Sequence, residues 1–199
     1  MTQKTLIDLI RHGQPVGGNL YRGHGIDDPL NETGWEQMWD AVGDDAPWQA
    51  VVTSPLRRCL EFADALASRH GLPVSVEEQF REVGFGSWEG RSRPEIRQNS
   101  PQEYQAFSRD PVNNRPPGAE NLIDFQRRVS TAYDAVVSTY AGGHTLIVTH
   151  AGVIRAIIAL NLRTDPAGMY RIHVPNACLS RIRHGRFGAR LLFLNRKLR

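Results

Sequence analysis

Two short apolar runs constrain this chain more than any other feature. Residues 5–10 read Thr-Leu-Ile-Asp-Leu-Ile and stop at Arg11-His12-Gly13, and residues 145–149 read Thr-Leu-Ile-Val-Thr and stop at His150-Ala151-Gly152. Runs this short and this rich in Leu, Ile and Val suit strands buried on both faces of a mostly parallel sheet. Ligands bind such sheets outside the carboxyl ends of the strands, which is where both histidines fall. A single histidine is more often a satisfied structural residue. Two of them, each carried by a buried strand to a small-residue turn, point to a shared site. A neutral imidazole beside a permanent guanidinium can attack a phosphoryl group while the guanidinium stabilises charge on its oxygens.

The rest of the chain alternates in the same way. The Gly-rich loop 14–30 could present backbone N–H groups to an anion. Thr33 and Glu36 have capping-box spacing, and residues 34–42 read as a helix closed by Gly43. Residues 48–53 form a second apolar strand. Ser54-Pro55 predicts a helix start, and Leu60, Ala63, Leu66 and Ala67 repeat at helical spacing as far as Gly71. Arg57 and Arg58 fall in the first turn of that helix, where its dipole disfavours cations, so an anion held there would resolve the conflict.

Residues 74–76 form a short strand. The loop 80–90 carries three glycines, two aromatics besides Phe80, and Glu82, which in isolation reads as a surface carboxylate. Residues 91–118 are polar, hold five prolines and suggest a lid of short helices. Leu122, Phe125, Val129, Ala132, Val136 and Tyr140 mark an amphipathic helix ending at Gly142-Gly143. Residues 153–162 read as the next helix, and 171–174, 179–183 and 190–194 as strands. The expected fold is an α/β three-layer sandwich with a mostly parallel central sheet. An antiparallel edge near the C-terminus and a lid-like insertion at about 85–118 complete it.

With 199 residues and a net charge of +3, the chain is long enough for a substantial core. No apolar run approaches a membrane span, and Met1-Thr2-Gln3-Lys4 leads straight into the first strand without a signal-peptide core. Cys59 and Cys178 have no disulfide or metal-ligand spacing and are expected as reduced packing residues, giving a cytoplasmic address. Seven Lys/Arg and no acids lie between Arg181 and Arg199. Without aromatic interleaving or a binding motif, that basic stretch disfavours nucleic acid as a partner and suits a solvated hairpin. An edge strand there could pair, which allows a homodimer.

The sequence resembles the histidine phosphatase superfamily, also called phosphoglycerate mutase-like, over nearly its whole length. The resemblance rests on L-I-R-H-G at 9–13, D-D-P-L-x-x-x-G at 27–34, S-P-L-R-R at 54–58, R-E-V-G-F-G-S-W-E-G at 81–90, P-P-G-A-E at 116–120 and T-H-A-G-V at 149–153. It is similar in particular to the bacterial branch that includes α-ribazole phosphatases. The resemblance implies one domain over residues 1–199 and His12 as phosphoryl acceptor. Arg11, Arg58 and a protonated His150 would complete the phosphate pocket. The family pattern favours Arg58 over Arg57, a choice that the sequence leaves open by one residue. Glu82 matches the carboxylate that protonates the leaving oxygen and then activates water. Glu120, Arg22 and Gly23 are candidate substrate contacts. Asn19 stands one residue late for the mutase asparagine, whose offset Gly18 occupies.

No metal or cofactor is implied. The expected activity is metal-independent hydrolysis of a small phosphate monoester, such as α-ribazole 5′-phosphate or a sugar phosphate. His12 must then be neutral, with its other ring nitrogen held as a donor, for which a backbone carbonyl would serve. A cofactor-dependent phosphoglycerate mutase is the alternative enzyme, disfavoured by the short chain and by F-G-S-W-E-G in the stretch after Glu82. A catalytically silent module that binds phosphorylated ligands is the alternative of another class, opposed by the presence of both His12 and Glu82.

Overall fold

Alternate residues of β1 (Thr5–Arg11) and β4 (His144–Thr149) feed two separate cores. Ile7 and Leu9 join Ile147 on one face, and Ile10 joins Leu146 and Val148 on the other. Helices α5 (Leu122–Thr139) and α6 (Ala151–Asn161) cover the first face. Helices α1 (Glu32–Val42) and α2 (Arg57–His70) cover the second. This computed structural model describes residues 4–198, so Met1 to Gln3 and Arg199, at the two ends of the sequence just read, lie outside the described residues. No helix among the described residues is long and apolar enough to cross a membrane.

The sheet has six strands in the order β3 (Val74–Val76), β2 (Ala50–Thr53), β4, β1, β5 (Leu179–Gly185), β6 (Gly188–Arg196). The first four run parallel, β5 runs antiparallel to β1 and β6 antiparallel to β5, which is the sandwich and edge expected from the sequence. Residues 85–118 leave the sheet as an insertion bearing α3 (Arg93–Asn99) and α4 (Pro101–Arg109). Trp88, Ile96 and Phe107 give this insertion an apolar cluster of its own. A capping box between Ser92 and Glu95 starts α3.

Several local expectations fail for identifiable reasons. Helix α1 begins at Glu32 because Asn31, not Thr33, caps it, its Oδ1 accepting the Gly34 N–H at 2.7 Å. Trp48 precedes β2 because its indole N–H turns to Asp8 Oδ2 at 2.8 Å. Helix α2 starts at Arg57, since Ser54 Oγ is engaged elsewhere. Residues 171–174 form no strand. A 3-10 helix capped by Asp165 (Pro166–Arg171) ends at the first of these residues, and the irregular chain after it aims the Val174 carbonyl at Arg11.

Asp8 ties the amino ends of the central strands together. It is fully buried, accepting from Trp48, from Arg181 Nε and Nη2 at 2.7 and 2.9 Å, and pairing with His144 Nε2 at 3.0 Å. Burial alone would raise its pKa, but the bonds from Arg181, His144 and Trp48 outweigh it and hold the carboxyl below its ordinary 3.8. A lowered folded-state pKa adds stability above 3.8 that is lost as pH falls through the lowered value. Asp8→Asn is therefore expected to cost about 3 kcal/mol at pH 7. Denaturant melts should show the gap to the native chain closing below pH 3.8, and a gap independent of pH would refute the assignment.

Candidate active site

The in-register pairing of β1 with β4 places Arg11 opposite Thr149, so His12 and His150 leave the sheet side by side. The His12 N–H donates to Thr149 O at 2.9 Å, and the two rings meet edge-on with centroids 5.2 Å apart. Gly13 permits this exit because a Cβ there would stand 2.2 Å from Gly34 O, backbone against backbone. That contact explains both glycines, since a Cβ on Gly34 would meet Gln14 O at 2.1 Å.

His12 is 5% exposed, and its Nδ1 lies 2.7 Å from Gly13 O. A carbonyl oxygen only accepts, so Nδ1 carries the proton and Nε2 of the neutral ring keeps its lone pair. Burial, then Arg11 and Arg58, push the His12 pKa well below its ordinary 6.5. His150 is fully buried, with Nε2 2.7 Å from Ser54 Oγ and 3.6 Å from Cys59 Sγ. Burial, followed by Arg58, His12 and Arg11, likewise lowers its pKa well below 6.5. The expected protonated His150 is thus corrected, because two guanidiniums in a desolvated site already oppose a further positive charge.

Arg58, not Arg57, enters the site. Arg58 is 1% exposed and donates from Nη1 to Ile26 O and from Nη2 to Gly23 O, both at 2.9 Å. Arg57 turns outward to Glu61 at 2.7 Å. Its backbone N–H is received by Asp27 Oδ1 at 2.7 Å, so the anion at the α2 N-terminus is the Asp27 carboxylate. Arg11 donates Nη1 to Val174 O at 2.7 Å, and burial brings its pKa down to about 10. The Nε atoms of Arg11 and Arg58 are buried without a hydrogen-bond partner. These guanidiniums are hydrogen-bonded to neutral carbonyls and, among the described residues, neither pairs directly with a carboxylate, Glu82 acting on both only at longer range.

Glu82 stands at the N-terminus of α6, where its carboxylate accepts from Gly152 N at 3.1 Å and from Val83 N at 2.9 Å. A Cβ on Gly152 would lie 2.2 Å from Glu82 Oε1, so the glycine of T-H-A-G is what lets this carboxylate approach. Arg11, His12, Arg22, Gly23, Arg58 and Glu82 line one cavity of about 920 Å³, with exposed Asn19 at its mouth. Arg22 is less free than its position suggests, because Asp28 Oδ2 lies 2.9 Å from its Nε and the Val16 and Gly18 carbonyls take its other nitrogens.

Gly23 has a φ of +54°, and a Cβ there would come within 1.8 Å of Glu89 Oε1. Its carbonyl, not an amide N–H, makes the bond to Arg58. Glu120 is not among the lining residues. Its carboxylate accepts from Arg128 Nε at 2.7 Å and Gly84 N at 3.1 Å, which braces the loop that carries Glu82.

Supporting groups escaped the sequence reading. Asn176 Nδ2 donates to the His12 and Gly13 carbonyls at 3.0 and 2.8 Å. Glu89 accepts from Phe85 N and Gly25 N, joining two loops at the rim. Arg93, Arg97 and Arg155 also line the cavity. Only Glu89 lay in a quoted motif, and nothing in its local sequence distinguished it from a solvated acid. Among the described residues no three His, Cys, Asp or Glu side chains gather as a metal-binding group.

Both histidine rings are expected to stay neutral as pH falls through 6.5, since both pKa values are lowered. In an NMR titration their Cε1–H resonances should be flat from pH 8 to 6. An inflection near 6.5 in either ring would overturn this electrostatic reading.

Residues 7–197 match the profile of the histidine phosphatase superfamily (branch 1). The bifunctional protein Rv2228c of Mycobacterium tuberculosis is 34% identical over 180 residues, covering 88% of this chain and 49% of that protein. The chain thus spans about half the length of that relative. The adenosylcobalamin/alpha-ribazole phosphatase of Salmonella typhimurium is 29% identical over 178 residues, covering 87% of this chain and 88% of that one. The native structure of mycobacterial glucosyl-3-phosphoglycerate phosphatase Rv2419c superimposes with a TM-score of 0.84 at 26% identity, covering 98% and 100% of the two chains. Matched over nearly all its length, with His12 and two buried arginines lining one cavity and His150 packed edge-on against His12, this chain belongs to the histidine phosphatase superfamily.

Proposed function

We propose that the chain is a metal-independent phosphatase that hydrolyses a small phosphate monoester through a phosphohistidine on His12. The observation that carries this reading is the Nδ1–H of His12 donating to Gly13 O, which leaves Nε2 as a buried, neutral nucleophile beside two unneutralised guanidiniums.

Nε2 attacks phosphorus, the P–O ester bond breaks, and Glu82 gives its proton to the leaving oxygen, releasing an alcohol. Glu82, now a carboxylate, then takes a proton from water. The water oxygen attacks phosphorus, the P–N bond breaks, and inorganic phosphate leaves with His12 neutral again. Arg11 and Arg58 stabilise charge on the non-bridging oxygens throughout. Neutral His150, held by Ser54, packs edge-on against the His12 ring and adds no third fixed cation. Arg22, Gly23 and Asn19 shape the entry, and Glu120 acts through Arg128 and Gly84 by holding the Glu82 loop. α-Ribazole 5′-phosphate and glucosyl-3-phosphoglycerate are substrates to test because relatives bear those names, and sugar phosphates are to be tested beside them.

Phosphate release in EDTA is expected from nitrophenyl phosphate and at least one alkyl ester. His12→Ala should lower turnover about 10⁴-fold or more, and substantial residual activity would refute the phosphohistidine. Glu82→Gln should lower turnover of alkyl esters roughly 10²–10⁴-fold but affect nitrophenyl phosphate far less, because its leaving group needs little protonation. Equal losses on both substrates would remove Glu82 from the acid role.

A further inference from the structure

The cavity holds more positive charge than one phosphoryl group requires. Its lining includes six arginines, Arg11, Arg22, Arg58, Arg93, Arg97 and Arg155, against the single carboxylate of Glu82. Arg11 and Arg58 suffice for the transferring group, and Arg22 is paired with Asp28. Arg93, Arg97 and Arg155 remain, and among the described residues none of the three forms an ion pair with a carboxylate.

Each of them is steered by an aromatic ring instead. Arg93 lies 6.0 Å from the Tyr21 ring, Arg97 lies 4.8 Å from that of Tyr104 and donates to its hydroxyl at 3.2 Å, and Arg155 lies 5.9 Å from that of Tyr170. Arg155 is also anchored through Nε to Ile172 O at 2.8 Å. Arg93 and Arg97 are four residues apart on α3, hence on one face of that helix. Arg155 comes from α6, on the sheet side of the same space. Arg93, Arg97 and Arg155 line the same cavity as Arg11 and Tyr21, and Arg93 and Arg155 both bear electrostatically on those two residues. Like charges gathered in one concave site cost free energy that a bound anion recovers.

We infer that the substrate's leaving group carries a second anionic group, a carboxylate or a phosphate, bound between Arg93 and Arg97 on α3 and Arg155 on α6. The cavity of about 920 Å³ has room for both groups on one small molecule. Guanidinium forks suit either oxyanion. The inference rests on the phosphatase reading and narrows its substrate class, away from esters whose leaving group is neutral.

The test compares kcat/KM within matched pairs on the full chain, with nitrophenyl phosphate as reference. Glycerol 3-phosphate against 3-phosphoglycerate varies a carboxylate, and fructose 6-phosphate against fructose 1,6-bisphosphate varies a phosphate. At least one pair is expected to favour the doubly anionic member tenfold or more, and the pair that does identifies the anion. Arg93→Gln and Arg97→Gln should each reduce that ratio about tenfold. Arg97→Lys should restore part of it, and Arg97→Glu should reverse it. Ratios near one, with nitrophenyl phosphate still hydrolysed, would overturn the inference and spare the phosphatase reading. If nothing is hydrolysed the phosphatase reading fails, and calorimetric Kd values of His12→Ala protein for the same pairs then decide the second site. Equal affinities within both pairs would dismiss it.

Discussion

The parallel register of β1 against β4 is the constraint on which the site depends. With Arg11 opposite Thr149, the next residues of both strands must emerge together at the carboxyl edge. Because each strand is buried on both faces, the two imidazoles emerge into a desolvated space. Arg58 reaches that space from the first turn of α2 and Arg11 from the strand itself. Burial plus like charge then does what a nucleophilic histidine needs, keeping it neutral where an exposed one would begin to protonate. The chemistry of His12 follows from strand pairing before any substrate is considered.

A division of labour between carbonyls and carboxylates preserves this electrostatic state. Arg11 and Arg58 are held by the carbonyls of Val174, Ile26 and Gly23, which orient a guanidinium without cancelling its charge. The nearby acids are directed at backbone N–H groups or at other cations. Asp27 receives the Arg57 amide, Glu89 those of Phe85 and Gly25, Glu82 that of Gly152, while Asp28 takes Arg22 and Glu120 takes Arg128. Had a carboxylate paired with Arg58, the pocket would have met an incoming phosphate already neutralised.

The sheet and its histidines were legible because their signals are local and physical: an apolar run, a polar end, a small turn. Arg58 over Arg57 was half legible, since the sequence left a one-residue choice that the α2 face resolves. The capping box at Thr33 and Glu36 misled because Asn31, tied by its N–H to Gln14 O, is pinned first and starts the helix. Residues 171–174 misled because Arg-Ile-His-Val alternates like a strand, yet Pro166 and the Asp165 cap commit the preceding turn to a 3-10 helix. Glu120 was placed in the pocket by its motif, but a partner eight residues later, Arg128, claims its carboxylate. In these cases the deciding contact came from outside the motif.

The arginine wall could not be read at all, and the reason separates the two ends of the cavity. Ser92-Arg93-Pro94-Glu95-Ile96-Arg97 satisfies every rule for a short surface helix, with a capping box, an early proline and one buried Ile96. Its basic residues acquire meaning only when the Trp88, Ile96 and Phe107 cluster docks the insertion against Tyr21 and Phe85. The phosphate end is fixed by sheet register and backbone glycines, where a single methyl would collide with Gly34 or Glu82. At the other end Arg155 comes from α6, but Arg93 and Arg97 are exposed side chains on a separately packed insertion, where substitutions cost little stability. Such a chain can change what it cleaves phosphate from while its phosphate chemistry stays in place.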